Sequence, residues 1–190
     1  MSNVIVVYAS REGQTEKIAR RIASVVQQHG HAVALFDAEH PTPGIDLARF
    51  DVAFVGAPIH AGGYPRSVAR FVRSHRSSLP RIPAAFFSVG LAVASRTSDG
   101  RAQTMPLVES FLRKTQWRPR RVELVAGALP YSKYNPFIRF IMKRIAAKEG
   151  GDTDTTHDHE YTDWGAVDRF ALDFVASAGA ADVAPVASHP

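Results

Sequence analysis

Runs of apolar residues alternate with segments of helical spacing along most of the chain. The nearly continuous apolar run NVIVVY (3–8) predicts a buried strand, and Ile18, Ile22 and Val25 fall on one face of a helix predicted over 14–28. The alternation continues, with strands expected at 31–36, 51–57, 83–90 and 121–126, and helices after Pro65, at 103–115 and after Thr162. Continuously hydrophobic strands separated by helices indicate a parallel sheet covered on both faces.

The length favours one domain. The chain has 190 residues, of which 45% are hydrophobic, enough for one complete core. We expect this domain to span 1–178 and the tail 179–190, with small residues and two prolines, to be disordered. Residues 128–160 exceed the usual connection of about 2 to 6 residues, so we regard them as an insertion before the last helix.

Composition excludes several kinds of chemistry. The chain has no cysteine, so disulfides, thiolate metal sites and cysteine nucleophiles are excluded. Neither a signal peptide nor an apolar run of about 18 residues is present, and we expect the protein to be kept inside the cell. A net charge of +5 favours an anionic partner, whether nucleic acid, lipid headgroups or a carboxylated substrate.

The junction between the first strand and the first helix has the composition of an anion site. A helix N-terminus exposes unpaired N–H groups and about half a positive charge, and it lies here at the carboxyl end of a parallel strand, where ligands bind. Ser10 and Thr15 add hydroxyl groups, and Gly13 permits close approach of the backbone. The alternative is that Ser10 or Thr15 merely caps the helix. The triphosphate-binding pattern GxxxxGKS or GxxxxGKT and the dinucleotide pattern GxGxxG are both absent.

Two further loops leave the same edge of the predicted sheet. PIHAGGYP (58–65) follows the third strand and SVGLAVASR (88–96) includes the end of the fourth, and both contain glycine beside small apolar residues. Such loops suit a flat ring pressed against the backbone. One phosphate loop with two ring-holding loops predicts flavin mononucleotide (FMN).

Several motifs carry a resemblance to a known family. They are YASREGQT (8–15), GAPIHAGGYP (56–65), FFSVGLAV (86–93), QWRPRRVELVAGALPYSKYN (116–135), GGDTDT (150–155) and YTDW (161–164). In these stretches the chain resembles the bacterial flavodoxin-type protoporphyrinogen oxidases, over about residues 4–178. The resemblance implies an α/β, flavodoxin-like, doubly wound sheet of five parallel strands in the order 2-1-3-4-5, with helices on both faces.

The resemblance also implies a function and a cofactor site. It implies FMN-dependent oxidation of protoporphyrinogen IX to protoporphyrin IX in haem biosynthesis, with electrons passed to menaquinone or ubiquinone. The expected phosphate ligands are Ser10, Arg11, Glu12, Gly13, Gln14 and Thr15. The expected ring contacts are Pro58, Ile59, His60, Ala61 and Gly62 on one side, and Ser88, Val89, Gly90, Leu91 and Ala92 on the other. Gly62 or Gly63 is expected to let a peptide rotate toward N5 of the reduced flavin.

One departure from electron-carrier flavodoxins bears on catalysis. Those proteins usually sandwich the ring between aromatic side chains and are strongly acidic, whereas this chain is basic and offers His60 and small residues, with Tyr64 nearby. A less covered ring leaves room for a bulky substrate. No residue is an obvious general base, so the catalytic residues stay unassigned and we expect the chemistry to belong mainly to the cofactor.

The insertion contains a segment that can contact a membrane. NPFIRFIMKRIAAKEGG (135–151) predicts a short helix from Pro136 to Gly150 with an apolar face and basic borders, suited to a membrane surface. Packing of that face on the domain is an equal alternative. Membrane or substrate contacts are expected from Lys133, Phe137, Ile138, Arg139, Ile141, Met142, Lys143, Arg144 and Ile145. The protein is accordingly expected in the cytoplasm, bound peripherally to the anionic inner face of the cell membrane.

Other charged clusters have simpler explanations. DTDTTHDHE (152–160) contains histidines and carboxylates, but its spacing is common in solvated loops and we predict no metal. Arg118, Arg120 and Arg121 lack an aromatic platform, so we predict no nucleic-acid partner; the sequence leaves a homo-oligomer open. The alternative functions are a flavodoxin-type electron carrier or flavin-dependent quinone reductase, and a non-enzymatic membrane-surface module.

Overall fold

The computed structural model describes residues 1–40, 44–95, 99–135, 137, 140, 143–144, 146–147 and 153–181. Its strands are β1 (Asn3–Tyr8), β2 (Ala32–Asp37), β3 (Val52–Pro58), β4 (Ala84–Gly90), β5 (Arg121–Ala126), β6 (Ala128–Leu129) and β7 (His159–Glu160). Its helices are α1 (Gln14–Gln28), α2 (Arg66–Ser74), α3 (Gly100–Thr115) and α4 (Trp164–Ala181). Short 3-10 turns occur at Leu47–Arg49, Leu79–Arg81, Leu91–Ala94 and Tyr131–Lys133.

The main sheet has the predicted topology. Its five strands are parallel and ordered β2-β1-β3-β4-β5, so the fold prediction is confirmed. Tyr8 pairs with Gly56 and Gly56 with Phe87, which aligns the carboxyl ends of the three central strands. The loops after these strands therefore open on the same edge.

Alternate residues of each strand pack on opposite faces of the sheet. Val4, Val6 and Tyr8 of β1 belong to the cluster formed with α1 and α4, whereas Ile5 and Val7 belong to the cluster formed with α2 and α3. Both clusters are almost fully buried. The sheet is therefore covered on both faces, as continuously apolar strands require.

Two helix boundaries differ from the predictions. α3 begins at Gly100, three residues early, because the Asp99 carboxylate accepts hydrogen bonds from the amides of Arg101 and Ala102, both at 3.0 Å. α4 continues to Ala181, into the predicted tail, whereas residues 182–190 lie outside the described part of the chain.

The insertion is closed at its base by a small sheet. β6 and β7 pair antiparallel, with Ala128 opposite Glu160 and Leu129 opposite His159, so the two ends of the long connection meet. Phe137, Phe140, Lys143, Arg144, Ala146 and Ala147 are helical. Ala146 packs with Leu129 and Tyr131 in a third buried cluster. Leu91, in the turn after β4, packs against this cluster, so the insertion contacts the domain at its base.

Candidate functional site

The loop between β1 and α1 presents backbone donors at the edge of the sheet. Gly13 has a φ of 98°, in the left-handed region that favours glycine. The first helical hydrogen bond runs from the amide of Lys17 to the carbonyl of Gly13 at 3.0 Å. The amides of residues 14–16 therefore have no intrahelical partner and can bind an anion. Inside the loop, the Gly13 amide donates to Ser10 Oγ at 3.1 Å, which fixes that hydroxyl.

The side chain of Gln14 holds the loop to the end of β5. Gln14 is 9% exposed, and its Nε2 donates to Thr162 Oγ1 at 2.9 Å. Thr162 Oγ1 donates in turn to the carbonyl of Ala126 at 2.7 Å. Gln14 therefore contributes its backbone to the anion site, while its side chain fixes the position of the first helical turn.

The insertion contacts the same loop. The hydroxyl of Tyr134 donates to Glu12 Oε2 at 2.9 Å, and Lys133 Nζ donates to the backbone carbonyl of Glu12 at 2.6 Å. Burial, and secondarily the Glu12 carboxylate, raises the pKa of Tyr134, so this hydroxyl stays protonated and remains a donor. Two consecutive residues of the insertion are thus anchored on the predicted phosphate loop.

A cavity of about 440 Å³ lies over the carboxyl ends of the central strands. It brings together every residue predicted to contact phosphate or ring except Gly13, Ser88 and Ala92. Its lining also includes Gly127, Ala128 and Tyr134, which the sequence analysis did not place there. Gly127 and Ala128 follow β5, so the rule that ligands bind beyond the ends of parallel strands could have identified them. Tyr134 carries no such signal.

The loop after β3 is a tight turn at the rim of this cavity. His60 and Gly63 exchange two backbone hydrogen bonds of 2.9 and 3.1 Å. The two residues between them have positive φ, 48° at Ala61 and 74° at Gly62, as in a type I′ turn. The Ile59 amide donates to the carbonyl of Val89 at 2.8 Å, which ties this wall to the end of β4.

Tyr64 and Ser88 pack beneath the cavity. The Tyr64 hydroxyl lies 2.7 Å from Ser88 Oγ, and Ser88 is completely buried. The ring centroid of Tyr64 lies 5.4 Å from that of Phe86 and 4.9 Å from that of Phe111, and burial raises the pKa of Tyr64 to about 12. Ser88 therefore supports the site without lining it, and the Tyr64 ring belongs to the core.

The residues at this edge fit a phosphorylated flavin. Free amides and the Ser10 hydroxyl suit a phosphate monoester. The walls of the cavity are formed by residues 58–62 and 89–91, which are apolar or glycine except for His60 and suit a planar ring. The wall is close-packed, because a Cβ added at Gly90 would lie 3.2 Å from Ile59 Cδ1.

The helical part of the insertion exposes two aromatic side chains. Phe137 is 71% exposed and Phe140 is 58% exposed, whereas Ala146 is 1% exposed. The Arg144 guanidinium lies 5.8 Å from the centroid of the Phe140 ring, and Lys143 is also exposed. The other predicted contacts on this helix, Ile138, Arg139, Ile141, Met142 and Ile145, lie outside the described residues.

The described end of the His and Asp cluster forms a local turn. The Asp154 carboxylate accepts hydrogen bonds from the amide and hydroxyl of Thr156, at 2.9 and 2.6 Å, which lowers the pKa of Asp154 to about 2. Within the described ranges, no three His, Cys, Asp or Glu residues are arranged to hold a metal ion. The same ranges contain no helix that is long and apolar enough to cross a membrane.

Sequence comparison identifies relatives over most of the chain. Residues 5–156 match the family described as flavodoxin domain. Protoporphyrinogen IX dehydrogenase (quinone) of Escherichia coli strain K12 is 35% identical over 167 residues, covering 88% of this chain and 91% of that protein. The Leishmania major protein of the same name is 35% identical over 176 residues, covering 90% of this chain and 74% of that protein. These matches confirm the resemblance drawn from the motifs.

Solved structures support the fold independently. A short-chain flavodoxin associated with a PDU bacterial microcompartment superposes with a TM-score of 0.58 at 15% identity, covering 94% of this chain and 99% of that chain. Oxidised flavodoxin 1 from Bacillus cereus superposes with a TM-score of 0.52 at 17% identity, covering 92% and 98%. At these identities the likeness shows the fold alone.

Proposed function

The chain belongs to the flavodoxin domain family, among the protoporphyrinogen IX dehydrogenases (quinone), and from this membership we propose that it is an FMN-dependent oxidoreductase. Its substrate is protoporphyrinogen IX, its product is protoporphyrin IX, and its electron acceptor is a quinone. The observation that carries the assignment is the cavity at the ends of the strands, which joins an anion-binding loop to two walls for a planar ring.

The chain binds and orients the cofactor. The amides of residues 14–16 and the Ser10 hydroxyl hold the phosphate, and residues 58–62 and 89–91 hold the ring between backbone walls. The chemistry supplied by bound FMN is hydride acceptance from the macrocycle and electron delivery to the quinone. Since the Tyr64 ring is packed against Phe86 and Phe111, it does not cover the cavity, and a large tetrapyrrole can approach.

Anaerobic reduction tests the enzyme assignment. The FMN-loaded protein is mixed with protoporphyrinogen IX while flavin absorbance and porphyrin fluorescence are followed together. We expect the flavin absorbance to bleach as porphyrin fluorescence rises, and a menaquinone or ubiquinone analogue to restore the absorbance. An electron carrier would bind FMN but leave the porphyrinogen unchanged. Flavin that remains oxidised would exclude the proposed reaction.

We further propose that the insertion contacts an anionic membrane surface, where a lipid-soluble quinone is available. Phe137 and Phe140 are the large apolar side chains most exposed among the described residues after Met1. The Arg144 guanidinium lies over the Phe140 ring, and Lys143 is exposed on the same helical segment. Complete burial of a large apolar side chain contributes about 1.5 to 3 kcal/mol, and each basic residue near anionic lipid about 1 kcal/mol. The aromatic side chains should therefore dominate binding and the charges should orient the helix.

A double substitution tests the membrane contact. Phe137→Ser with Phe140→Ser should weaken binding to anionic liposomes by at least about 20-fold, because roughly 2 kcal/mol or more of apolar burial is lost. FMN content should not change, since neither residue lines the cavity. Arg101→Ser, at an exposed position on α3, is the control. Equal liposome binding by the double variant and the control would contradict the proposal.

A further inference from the structure

We propose that Lys133 supplies a cation to the phosphate subsite and makes the site select FMN over unphosphorylated riboflavin. The inference rests on the proposed cofactor. Lys133 belongs to the insertion and was expected from the sequence to meet lipid or substrate. In the folded chain its Nζ lies 2.6 Å from the carbonyl of Glu12. It is also 3.3 Å from the position that a Cβ on Gly13 would take. The ammonium group therefore lies on the phosphate loop itself.

The charge of Lys133 is available for an anion. The ion pairs found among the described residues involve other side chains, and the Lys133 ammonium is bonded there to a neutral carbonyl. The nearby Asp158 carboxylate is occupied by Ser132, whose amide and hydroxyl both donate to it at 2.8 Å. This contact fixes the turn that carries Lys133. The lysine is thus positioned by its neighbour; Asp158 attracts it through space, but within the described ranges no carboxylate forms an ion pair with it.

The phosphate loop and the helix turn after it carry carboxylates that would repel a phosphate dianion, together with the Arg11 guanidinium, whose residue lines the cavity. Glu12 lies within the loop and Glu16 lies in the first turn of α1. The Tyr134 hydroxyl holds the Glu12 carboxylate at 2.9 Å, and Arg20 holds Glu16 at 2.8 Å. The Lys133 ammonium beside Gly13 adds a second positive charge to that of Arg11 and offsets the repulsion further. Because riboflavin lacks the phosphate, the benefit of that cation applies to FMN alone.

Paired binding measurements test this inference. The dissociation constants of FMN and riboflavin are measured by flavin fluorescence for the apo-protein and for Lys133→Met. We expect FMN binding to weaken about tenfold or more, because a hydrogen bond to a charged group is lost, while riboflavin binding stays within about twofold. Added salt should weaken FMN binding more in the wild type than in the variant. Lys143→Met, which removes an exposed lysine of the insertion helix, should change neither constant.

Two further variants keep the test decisive. Lys133→Gln removes the charge but retains a donor for the Glu12 carbonyl, so it should lose FMN selectivity even where Lys133→Met folds poorly. Lys133→Arg should retain the selectivity. Both dissociation constants are measured on the same variant, so a general loss of stability weakens FMN and riboflavin binding alike and cancels in their ratio.

The outcomes separate this inference from the proposed function. Equal weakening of FMN and riboflavin, or no weakening of either, would overturn the role of Lys133. This inference alone would be overturned if the wild-type protein binds FMN and oxidises protoporphyrinogen while Lys133→Met and Lys133→Gln keep the same preference for FMN over riboflavin. Wild-type protein that binds neither flavin would overturn both.

Discussion

Replacement of Thr162 by valine tests how the phosphate loop is held. The Thr162 hydroxyl accepts from Gln14 Nε2 and donates to the carbonyl of Ala126, so it joins the first turn of α1 to the end of β5. Valine has nearly the same shape but neither donates nor accepts. The substitution therefore removes both hydrogen bonds with little change in volume.

The expected cost follows from these two contacts. Loss of a typical hydrogen bond costs about 0.5 to 1.5 kcal/mol, and a buried donor left without a partner costs about 1 to 3 kcal/mol. Gln14 is 9% exposed but also contacts Glu160, so its amide is not left entirely unpaired. We expect the free energy of unfolding to fall by about 2 kcal/mol, which corresponds to a melting temperature lower by about 4 to 8 °C.

Urea unfolding of the apo-protein, followed by far-ultraviolet circular dichroism, measures this change. Thr153→Val is the matched control because Thr153 is exposed. FMN affinity should also be weaker in Thr162→Val than in the control, since the amides proposed to bind phosphate lie in the turn that Thr162 holds. Unfolding free energies for the two variants that agree within about 0.5 kcal/mol would refute the reasoning.

Two other substitutions test the packing and the titration of the core. Gly56→Ala should lower the free energy of unfolding by about 1 to 3 kcal/mol in urea unfolding, because the added Cβ would lie 1.9 Å from Cζ of the buried Phe87 ring. Gly179→Ala, where a Cβ meets nothing within 4 Å, should not destabilise and serves as the control. Since burial raises the pKa of Tyr64 to about 12, the unfolded chain loses this proton first, and stability should fall as the pH rises from about 10 to 12. In Tyr64→Phe, the free energy of unfolding measured as a function of pH should fall by roughly 2 kcal/mol less between pH 10 and 12 than in the wild type. The same pH dependence in both proteins would show that Tyr64 does not titrate in this range.

The sheet could be predicted because each strand carries its own signal. A strand buried on both faces is continuously apolar, and this pattern located β1 and β5 to the residue and the other main strands to within one residue. The start of α3 could not be located in this way. Gly100 to Ala102 have no apolar periodicity, and the Asp99 cap that begins the helix is one polar residue among several.

The place of the cavity was predictable where it follows from the ends of the strands. The loops after β1, β3 and β4 all reach the cavity, as the rule for parallel sheets requires. Ser88 departs from the prediction because strand alternation places it on the same face as Phe86, where it contacts Tyr64. Tyr134 could not be assigned, because the contact with Glu12 joins residues 122 positions apart and leaves no local pattern.

The packing of the insertion explains how a surface element can act at the cofactor site. The ion pair between Lys17 and Glu160, at 3.1 Å, is exposed and contributes little to stability. The stronger attachment is the buried cluster, where Leu129 and Tyr131 are completely buried and Ala146 is 1% exposed. Because β6 leads from this cluster directly to Lys133 and Tyr134, the same packing positions both residues on the phosphate loop. Phe137 and Phe140, the proposed membrane contacts, therefore extend from a base that is fixed beside the cavity.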